Sequence, residues 1–392
     1  MGIADVISFD NTEVAFRSKS DKELKRDYRL FKLLSYPWLA HTGAKVTSAL
    51  LQAGLPVAGI IRKTIYEHFC GGETLAECQK TIDRLAGSGV YSILDYGVEA
   101  KNNEADFDHT AAEMMREIDF ARENEFVPLI SCKMTGLGRF ELYEKVQRGE
   151  ALTSAEQEEL QRIRERLEKV CRHASKHRVS ISIDAEESWI QQPVDELTHE
   201  MMGKFNRERV VVMNTAQMYR KDRLEFLRHA VEEALRKGYL YGIKLVRGAY
   251  MEKERARARA MGYPSPIHET KSECDHDFDE AVRFCIDHYE KVYTCVATHN
   301  EASCKLFVNL IEERNLDRQH PHLLCCQLYG MSDHITFNLA ERGFRAAKYV
   351  PYGPVREVLP YLTRRAEENT SVGGQMSREL QLYKMEMKRR GL

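Results

Sequence analysis

Short runs of β-forming residues alternate with longer amphipathic segments along the chain after Gly89, and this alternation limits the fold more than any other feature. Strands that alternate with helices form parallel sheets, because each helix carries the chain back to the start of the next strand. Eight such units predict an α/β fold, a distorted (β/α)8 barrel of the TIM type. The predicted strands are Tyr91–Tyr96, Pro128–Cys132, Val179–Ile183, Val210–Met213, Gly242–Val246, Thr294–Ala297, Leu323–Gln327 and Ala347–Pro351.

A doubly wound open sheet is the alternative fold for this pattern. Such a sheet usually carries a glycine-rich, dinucleotide-binding turn after its first strand. The nearest sequence is GLGRF at residues 136–140, which lacks a third glycine and follows the second predicted strand. We therefore favour the barrel.

The region before the first strand lacks β-rich runs and contains amphipathic helical patterns such as SDKELKRDYRLFKLLS. We predict an N-terminal helical region at residues 1–85 and a catalytic barrel at residues 86–392. The uncharged run Val46–Ile61 is broken by two glycines and a proline and is shorter than the ~20 residues of a membrane span. It predicts a buried helix pair, or a surface that touches a membrane or a partner.

Composition excludes several classes of protein. The net charge of -2 gives no basic face for nucleic acid. The ten cysteines form no CxxC pair, a pattern typical of free thiols in a reducing compartment. The first residues carry acids and no basic segment, so we expect no secretory signal and a cytoplasmic protein.

Polar residues recur where the predicted strands end, which is where (β/α)8 barrels hold their active sites. Each has an ordinary explanation when taken alone. DAEES at residues 184–188, for example, matches a helix N-cap formed by Asp184, with Glu187 at the third helical position. Their recurrence predicts an active site that includes Lys133, Asp184, Gln217, Lys244, Thr298, His299 and Tyr349.

Two adjacent arginines, Arg364 and Arg365, lie in the helical sequence YLTRRAEEN after the last strand. Adjacent side chains on a helix diverge by about 100°, which is typical of a solvated face. A ligand between the two can nevertheless accept a bond from each, and Glu368 is spaced to brace both. Paired guanidinium groups suit a small carboxylate.

The remaining cations and hydroxyls suggest a second ligand. Lys271, Thr298 and His299 could bind phosphate oxygens, and the glycine in RGAY lets the backbone approach a flat ligand. These residues alone do not show whether the second ligand is a flavin, pyridoxal phosphate or a phosphorylated substrate. The segment 268–277 contains histidines and acids but no HExxH spacing, so we expect no metal site.

Four motifs together resemble the flavin-dependent proline dehydrogenase family, in its single-function form. They are KLVRGAYMEKERARA, ATHNEAS, QLYGM and KYVPYGPVREVLPYLTRRAEEN, and the resemblance runs from about Gly71 to about Asn369. It implies a barrel with FAD across the strand ends and the last helix over the mouth. It also implies oxidation of L-proline to 1-pyrroline-5-carboxylate, with hydride passing to the flavin and electrons to a membrane quinone.

The resemblance assigns roles position by position. Arg364, Arg365 and Lys133 would bind the carboxylate, and Lys244 and Gln217 would hydrogen-bond the flavin. Bifunctional members of the family have arginine at the position of Lys244 and tryptophan at the position of Met251. Tyr349 crowds the place of a ring hydroxyl, which favours proline. The substrate-site or catalytic set is Lys133, Asp184, Tyr250, Leu328, Tyr349, Arg364, Arg365 and Glu368; the cofactor-binding set is Gln217, Lys244, Val246, Gly248, Ala249, Lys271, Thr298, His299 and Arg365.

The resemblance also implies partners. The product would pass to a separate pyrroline-5-carboxylate dehydrogenase, as the first step of proline catabolism to glutamate, and contact with the inner face of the membrane would be peripheral. The alternatives are a hydroxyproline dehydrogenase of the same fold, a Schiff-base aldolase that uses Lys133 or Lys244 as nucleophile, and a barrel that only binds a ligand.

Overall fold

The computed structural model describes residues 7–36, 58–97, 102–371 and 375–392. Eight strands form a closed barrel in sequence order, and every paired register is parallel, which confirms the predicted fold. The strands are β1 (Val90–Tyr96), β2 (Leu129–Lys133), β3 (Ser180–Asp184), β4 (Val212–Gln217), β5 (Tyr241–Val246), β6 (Val292–Ala297), β7 (Leu323–Leu328) and β8 (Ala346–Tyr352).

Helices follow each strand and also precede the first one. The helix α3 starts at Ala58–Ile61, passes through a π-helical turn at Arg62–Tyr66 and ends with Glu67–Phe69. The others are α1 (Thr12–Phe16), α2 (Asp21–Leu34), α4 (Leu75–Ala86), α5 (Glu104–Arg122), α6 (Phe140–Gln147), α7 (Ser154–His177), α8 (Gln191–Phe205), α9 (Arg223–Arg236), α10 (Met251–Met261), α11 (Lys271–Asp287), α12 (Glu301–Glu313), α13 (Asp333–Glu341), α14 (Leu359–Ser371) and α15 (Gln375–Arg389).

The chain divides into two compact units. One comprises the described residues of Ala100–Cys326, with β2 to β6 and most of β7. The other comprises the described residues of Met1–Glu99 and Gln327–Leu392, with β1 and β8. The predicted boundary between residues 85 and 86 stays a prediction. Most of the run Val46–Ile61 lies outside the described residues, and its last four residues form the start of α3.

In the unit that contains both chain ends, aromatic and aliphatic side chains from helices far apart in sequence form one core. Phe16, Phe31, Phe69, Leu362 and Tyr383 are each at most 1% exposed. The Phe31 and Tyr383 ring centroids lie 5.4 Å apart. This core packs the helices before β1 against those after β8.

A buried chain of charges reinforces that packing. Lys19 Nζ lies 2.8 Å from an Asp27 carboxylate oxygen and 3.1 Å from one of Asp333. Lys348 of β8 approaches the other oxygen of Asp333 at 2.8 Å. Buried acids need such partners, because an unpaired buried carboxylate is strongly destabilising. The N-terminal segment is therefore fixed to the last strand by ion pairs as well as by apolar contact.

In the other unit, the inside of the barrel is polar where β2, β3 and β4 face each other. Ser131 and Ser182 are register partners, and the Ser182 and Thr215 hydroxyl oxygens lie 3.4 Å apart. Strand side chains alternate between faces, so Lys133, Asp184 and Gln217 share the inner face with these hydroxyls, two residues further along each strand. This register places the candidate residues at the carboxyl ends of the strands.

Local sequence signals mark the ends of two outer helices. Thr153 and Glu156 form a capping box at the start of α7. Gly238 ends the α9 segment with φ +71°, as expected for a C-terminal glycine. All ten cysteines are buried free thiols. Among the described residues, no helix has the length and apolar character needed to cross a membrane.

Candidate active site

Three side chains from β2, β3 and β5 meet inside the unit Ala100–Cys326. Ser131 donates a hydrogen bond of 2.6 Å to Asp184 Oδ1. Lys244 Nζ donates to the same carboxylate oxygen and lies 3.0 Å from Ser131 Oγ. Lys244 is only 3% exposed. A buried lysine that faces a carboxylate and a hydroxyl is held at a fixed position as a hydrogen-bond donor.

The surroundings of Asp184 keep it ionised. Burial opposes its ionisation, but the positive charges of Lys244 and Lys133 and the hydrogen bonds from Lys244 and Ser131 hold its pKa below the usual value. Asp184 does not cap a helix, because the next helix begins only at Gln191. The helix-cap explanation of DAEES is therefore wrong. The Asp184 carboxylate instead accepts a hydrogen bond from Lys244, which is far from it in the sequence.

A second buried carboxyl group, Glu186, lies just beyond β3. Thr135 donates to it from the backbone at 3.1 Å and from its hydroxyl at 2.6 Å. Burial raises the pKa of Glu186 to about 7, against the effect of these hydrogen bonds and of Lys133. The site therefore holds one ionised carboxylate and one that is half-protonated near neutral pH.

Gln217, at the end of β4, has its amide orientation fixed by two backbone groups. Its Nε2 donates to the Glu186 carbonyl at 2.6 Å, and its Oε1 accepts from Ala249 N at 3.3 Å. Each half of an amide has capacity for a further hydrogen bond. Gln217 thus ties the end of β3 to the segment after β5 and remains suited to bind a ligand's amide edge.

The segment RGAY after β5 turns sharply at Gly248. Its φ of +135° is accessible mainly to glycine, and a Cβ there would lie 2.6 Å from the Tyr219 ring. The half-buried Val246 accepts a hydrogen bond from Met218 N. Tyr250 is 9% exposed, and the Lys253 ammonium lies 5.5 Å from its ring centroid. This turn brings backbone atoms close to the strand ends.

Arg247 connects residues that the sequence predicted as phosphate ligands. Its guanidinium donates to Asp275 at 2.7 Å and to Thr298 Oγ1 at 2.6 Å. Lys271, whose side chain is 67% exposed, contacts Asp275 from the first turn of α11. His299 follows Thr298 and is half-buried. Lys271 and Thr298 therefore belong to one bonded chain, Lys271–Asp275–Arg247–Thr298.

The other predicted site residues lie in the unit that contains both chain ends. Leu328 ends β7 and Tyr349 lies in β8, both half-buried. Arg364 is half-buried, and Arg365 is 7% exposed with its Cζ 5.2 Å from the Tyr361 ring centroid. Glu368 lies on α14, but its side chain is outside the described part of the structure. The predicted helix around the arginines is confirmed.

Three participants were missed at the sequence level: Ser131, Glu186 and Arg247. Each had a signal. Ser131 lies two residues before Lys133 and so shares its face of β2. Arg247 lies inside the RGAY motif, and Glu186 lies inside DAEES. Their partners lie far away in the chain, on strands, helices and loops, so no local pattern shows which contacts they make.

The comparisons with known proteins point to one family. A family model described as proline dehydrogenase matches residues 78–378. The carbapenem antibiotics biosynthesis protein CarD of Pectobacterium carotovorum subsp. carotovorum is 37% identical, covering 82% of this chain and 83% of that protein. Mitochondrial proline dehydrogenase 1 of Arabidopsis thaliana is 30% identical over 88% of this chain and 78% of its own length. Hydroxyproline dehydrogenase of Xenopus laevis is 30% identical, with coverage of 98% and 90%.

A solved structure shares the fold. Proline utilization A (PutA) from Bdellovibrio bacteriovorus, inactivated by N-propargylglycine, superposes with a TM-score of 0.74 at 21% identity, covering 93% of this chain. This chain spans 39% of the length of that one, and the likeness concerns the fold alone. The family match covers most of the chain and includes every strand-end residue described above. The chain therefore belongs to the proline dehydrogenase family.

Proposed function

We propose that this protein oxidises L-proline to 1-pyrroline-5-carboxylate with FAD as hydride acceptor. The observation that carries the proposal is the buried Lys244–Asp184–Ser131 cluster at the strand ends of a barrel of this family. An immobilised ammonium group is a suitable donor to the ring atoms of a flavin, since it stabilises negative charge that develops there. The curated relative from Arabidopsis carries the corresponding name.

The donor set of the unit Ala100–Cys326 fits FAD. Gln217 has its amide oriented for the pyrimidine edge, and the turn at Gly248 and Ala249 offers backbone close to a flat ring. Thr298 Oγ1 accepts from Arg247 and from Asn300 N at 3.1 Å, so its hydroxyl is fixed beside a cation in the group that we assign to the phosphates. When bound, FAD supplies the hydride acceptor, and these residues hold and orient it.

The substrate carboxylate is assigned to Arg364 and Arg365, with Lys133 as the third cation. Two guanidinium groups bind a carboxylate more specifically than ammonium groups do, because their planar donors match its geometry. Leu328 and Tyr349 are assigned to the proline ring, with Tyr250 as the group that closes the site and Glu368 as a brace for the arginines. These roles rest on the family resemblance, residue by residue.

Proline must lose a proton from nitrogen before hydride can leave its ring carbon. The cations assigned to the site, Lys133, Arg364 and Arg365, favour the neutral amine, so we assign proton acceptance to water. The lowered pKa of Asp184 makes its carboxylate a weak base, so we do not assign it as the acceptor. A reductive rate that is independent of pH across the neutral range would contradict this assignment.

The function is tested by the absorbance spectrum of the purified protein. Bound flavin gives a yellow protein, and L-proline added without oxygen should bleach it with formation of the pyrroline product. A colourless protein trapped by borohydride together with a carbonyl substrate would instead identify a Schiff-base aldolase that uses Lys133 or Lys244. A colourless, unreactive protein would support a ligand-binding barrel.

Hydroxyproline is the second candidate substrate, because the Xenopus relative named hydroxyproline dehydrogenase matches nearly the whole chain. Tyr349 argues for proline, since its ring crowds the position of a substrate hydroxyl in the inferred complex. The ratio of kcat/KM for the two substrates decides between them. Tyr349→Ser should shift this ratio toward hydroxyproline. An unchanged ratio would show that Tyr349 does not determine the preference for proline.

The remaining assignments follow the family resemblance. Electrons pass from the reduced flavin to a membrane quinone, and a separate pyrroline-5-carboxylate dehydrogenase consumes the product. The protein acts in the cytoplasm, in peripheral contact with the inner face of the membrane. Proline-dependent reduction of a soluble quinone analogue, with and without added liposomes, tests the acceptor and the membrane contact together.

A further inference from the structure

Two histidines and an aspartate on neighbouring outer helices point their ligand atoms at one another. Asp119 belongs to α5, and His173 and His177 lie at the C-terminal end of α7, four residues apart. Asp119 Oδ1 lies 2.7 Å from His173 Nε2 and 3.6 Å from His177 Nε2. The three ligand atoms all lie within 4.8 Å of one another.

These separations match those of a metal site. Zinc bonds of about 2.1 Å in tetrahedral geometry place ligand atoms about 3.4 Å apart. The two measured aspartate–histidine distances lie on either side of that value, so shifts of less than an ångström would produce it. Histidines at i and i+4 on one helix face are a recurrent pair of zinc ligands.

We propose that Asp119, His173 and His177 bind a divalent transition-metal ion such as Zn²⁺. The ligand set of two imidazoles and one carboxylate suits Zn²⁺ and, with different geometry, Ni²⁺ or Cu²⁺. Two imidazoles and a carboxylate leave a tetrahedral ion one position for water. This proposal departs from the expectation from the sequence that the chain has no metal site.

The cluster lies away from the candidate active site. His177 ends the helix that leads into the start of β3, and Asp119 is near the end of the helix that leads into β2. The active-site residues lie at the other ends of these strands. A bound ion would link the ends of α5 and α7, and so stabilise the fold without taking part in the oxidation.

The ordinary alternative is an ion pair between Asp119 and a protonated His173 at the C-terminal end of α7. Histidine is stabilising at that end through the helix dipole, without any metal. One observation favours the metal. His177 turns its Nε2 toward the same carboxylate oxygen, with the two imidazole centroids 4.4 Å apart.

Arg122 competes with a metal ion for His177, because its guanidinium group hydrogen-bonds to that imidazole. Its Nη1 lies 3.4 Å from His177 Nδ1, and its side chain is 54% exposed. Metal binding through Nε2 places a proton on Nδ1, which can then no longer accept a hydrogen bond from the arginine. Arg122 must turn toward solvent, so its removal should tighten metal binding.

The test is a titration of the EDTA-treated full-length protein with Zn²⁺, followed by calorimetry and by thermal unfolding. We expect one ion bound at micromolar concentration and a melting temperature that rises by several degrees. His177→Ala and Asp119→Asn should each weaken binding at least tenfold, and Arg122→Ala should tighten it a few-fold. His229→Ala, which removes an exposed histidine of α9, should change nothing.

Substitution with Co²⁺ gives an independent readout. Bound in a tetrahedral site, Co²⁺ absorbs strongly in the visible range, and this band should disappear in His173→Ala. Melting curves in EDTA show whether each variant is folded. Zn²⁺ affinity that is equal in wild type, His177→Ala and Asp119→Asn would overturn the proposal. None of these measurements depends on flavin or proline, so they are independent of the proposed oxidation.

Discussion

Ser131 donates a 2.6 Å hydrogen bond to the Asp184 carboxylate oxygen that also receives the Lys244 ammonium. The serine thus orients the carboxylate, and through it the lysine that we assign to the flavin. Without the hydroxyl, the carboxylate can rotate and Lys244 loses its fixed position.

Ser131→Ala should therefore slow flavin reduction by proline about tenfold or more, since a hydrogen bond to a charged group contributes about 1.5–3 kcal/mol. Stopped-flow absorbance measures this rate, with flavin content as a check of cofactor binding. Ser182→Ala is the matched control, because Ser182 is the register partner of Ser131 and its hydroxyl faces that of Thr215 on the neighbouring strand. Equal rates in the two variants would refute the role of Ser131.

Asp184 and Lys244 should be strongly coupled in stability. Asp184→Asn leaves a buried ammonium group without its counter-charge, a loss that typically costs about 3–5 kcal/mol. Lys244→Met in the same chain removes the uncompensated charge, so the double variant should be more stable than the Asp184→Asn single variant. Urea unfolding of the four proteins gives the interaction energy, and additive effects would show that the pair does not interact.

Glu186 should make stability fall as the pH rises. Its pKa in the folded protein is about 7, above the ordinary value of 4.5. Between these values the unfolded chain has released its proton while the folded protein retains it, so folding becomes less favourable with increasing pH. The full difference corresponds to about 3 kcal/mol. Glu186→Gln, which is always neutral, should therefore gain stability relative to wild type between pH 5 and pH 8, and a constant difference would argue against the raised pKa.

Arg365→Met should retain flavin but lose proline affinity by about 100-fold or more, because the carboxylate loses a charge-assisted donor. Proline titration of the anaerobic enzyme measures the affinity. Arg356→Met is the control, since Arg356 is an exposed arginine of the same C-terminal segment. Unchanged affinity in Arg365→Met would refute the carboxylate clamp, and loss of flavin would assign Arg365 to the cofactor instead.

Gly248→Ala should weaken flavin retention and destabilise the fold. The new methyl group would lie 2.6 Å from the Tyr219 ring, at a backbone angle that alanine rarely adopts. Gly149→Ala is the control for backbone strain alone, because Gly149 has φ +67° and a methyl group there would meet no atom within 4 Å. A larger loss of bound flavin in Gly248→Ala than in Gly149→Ala would support the close approach of this turn to the cofactor.

The barrel and its strand ends were predictable because burial imposes a repeating pattern on strands and helices. That pattern located Lys133, Asp184 and Lys244 at strand ends without any knowledge of their contacts. The contacts themselves depend on the register between strands, which residue spacing within one strand does not determine. Asp184 shows the consequence: locally it looks like a helix cap, yet its partner Lys244 lies two strands further along the chain. His173 and His177 are spaced in the sequence to share one helix face. Asp119 belongs to another helix, so its position beside them depends on how the two helices pack.

The pairing of β1 with β8 has a consequence for synthesis of the protein. Val90–Tyr96 aligns residue by residue with Ala346–Tyr352, so the partner of this edge of β1 is the last of the eight strands to be made. Contacts between segments so distant in the chain form slowly, and an unpaired strand edge invites association with other chains. Ring closure is thus a late event on the ribosome, and the nascent chain is most exposed to aggregation just before β8 emerges.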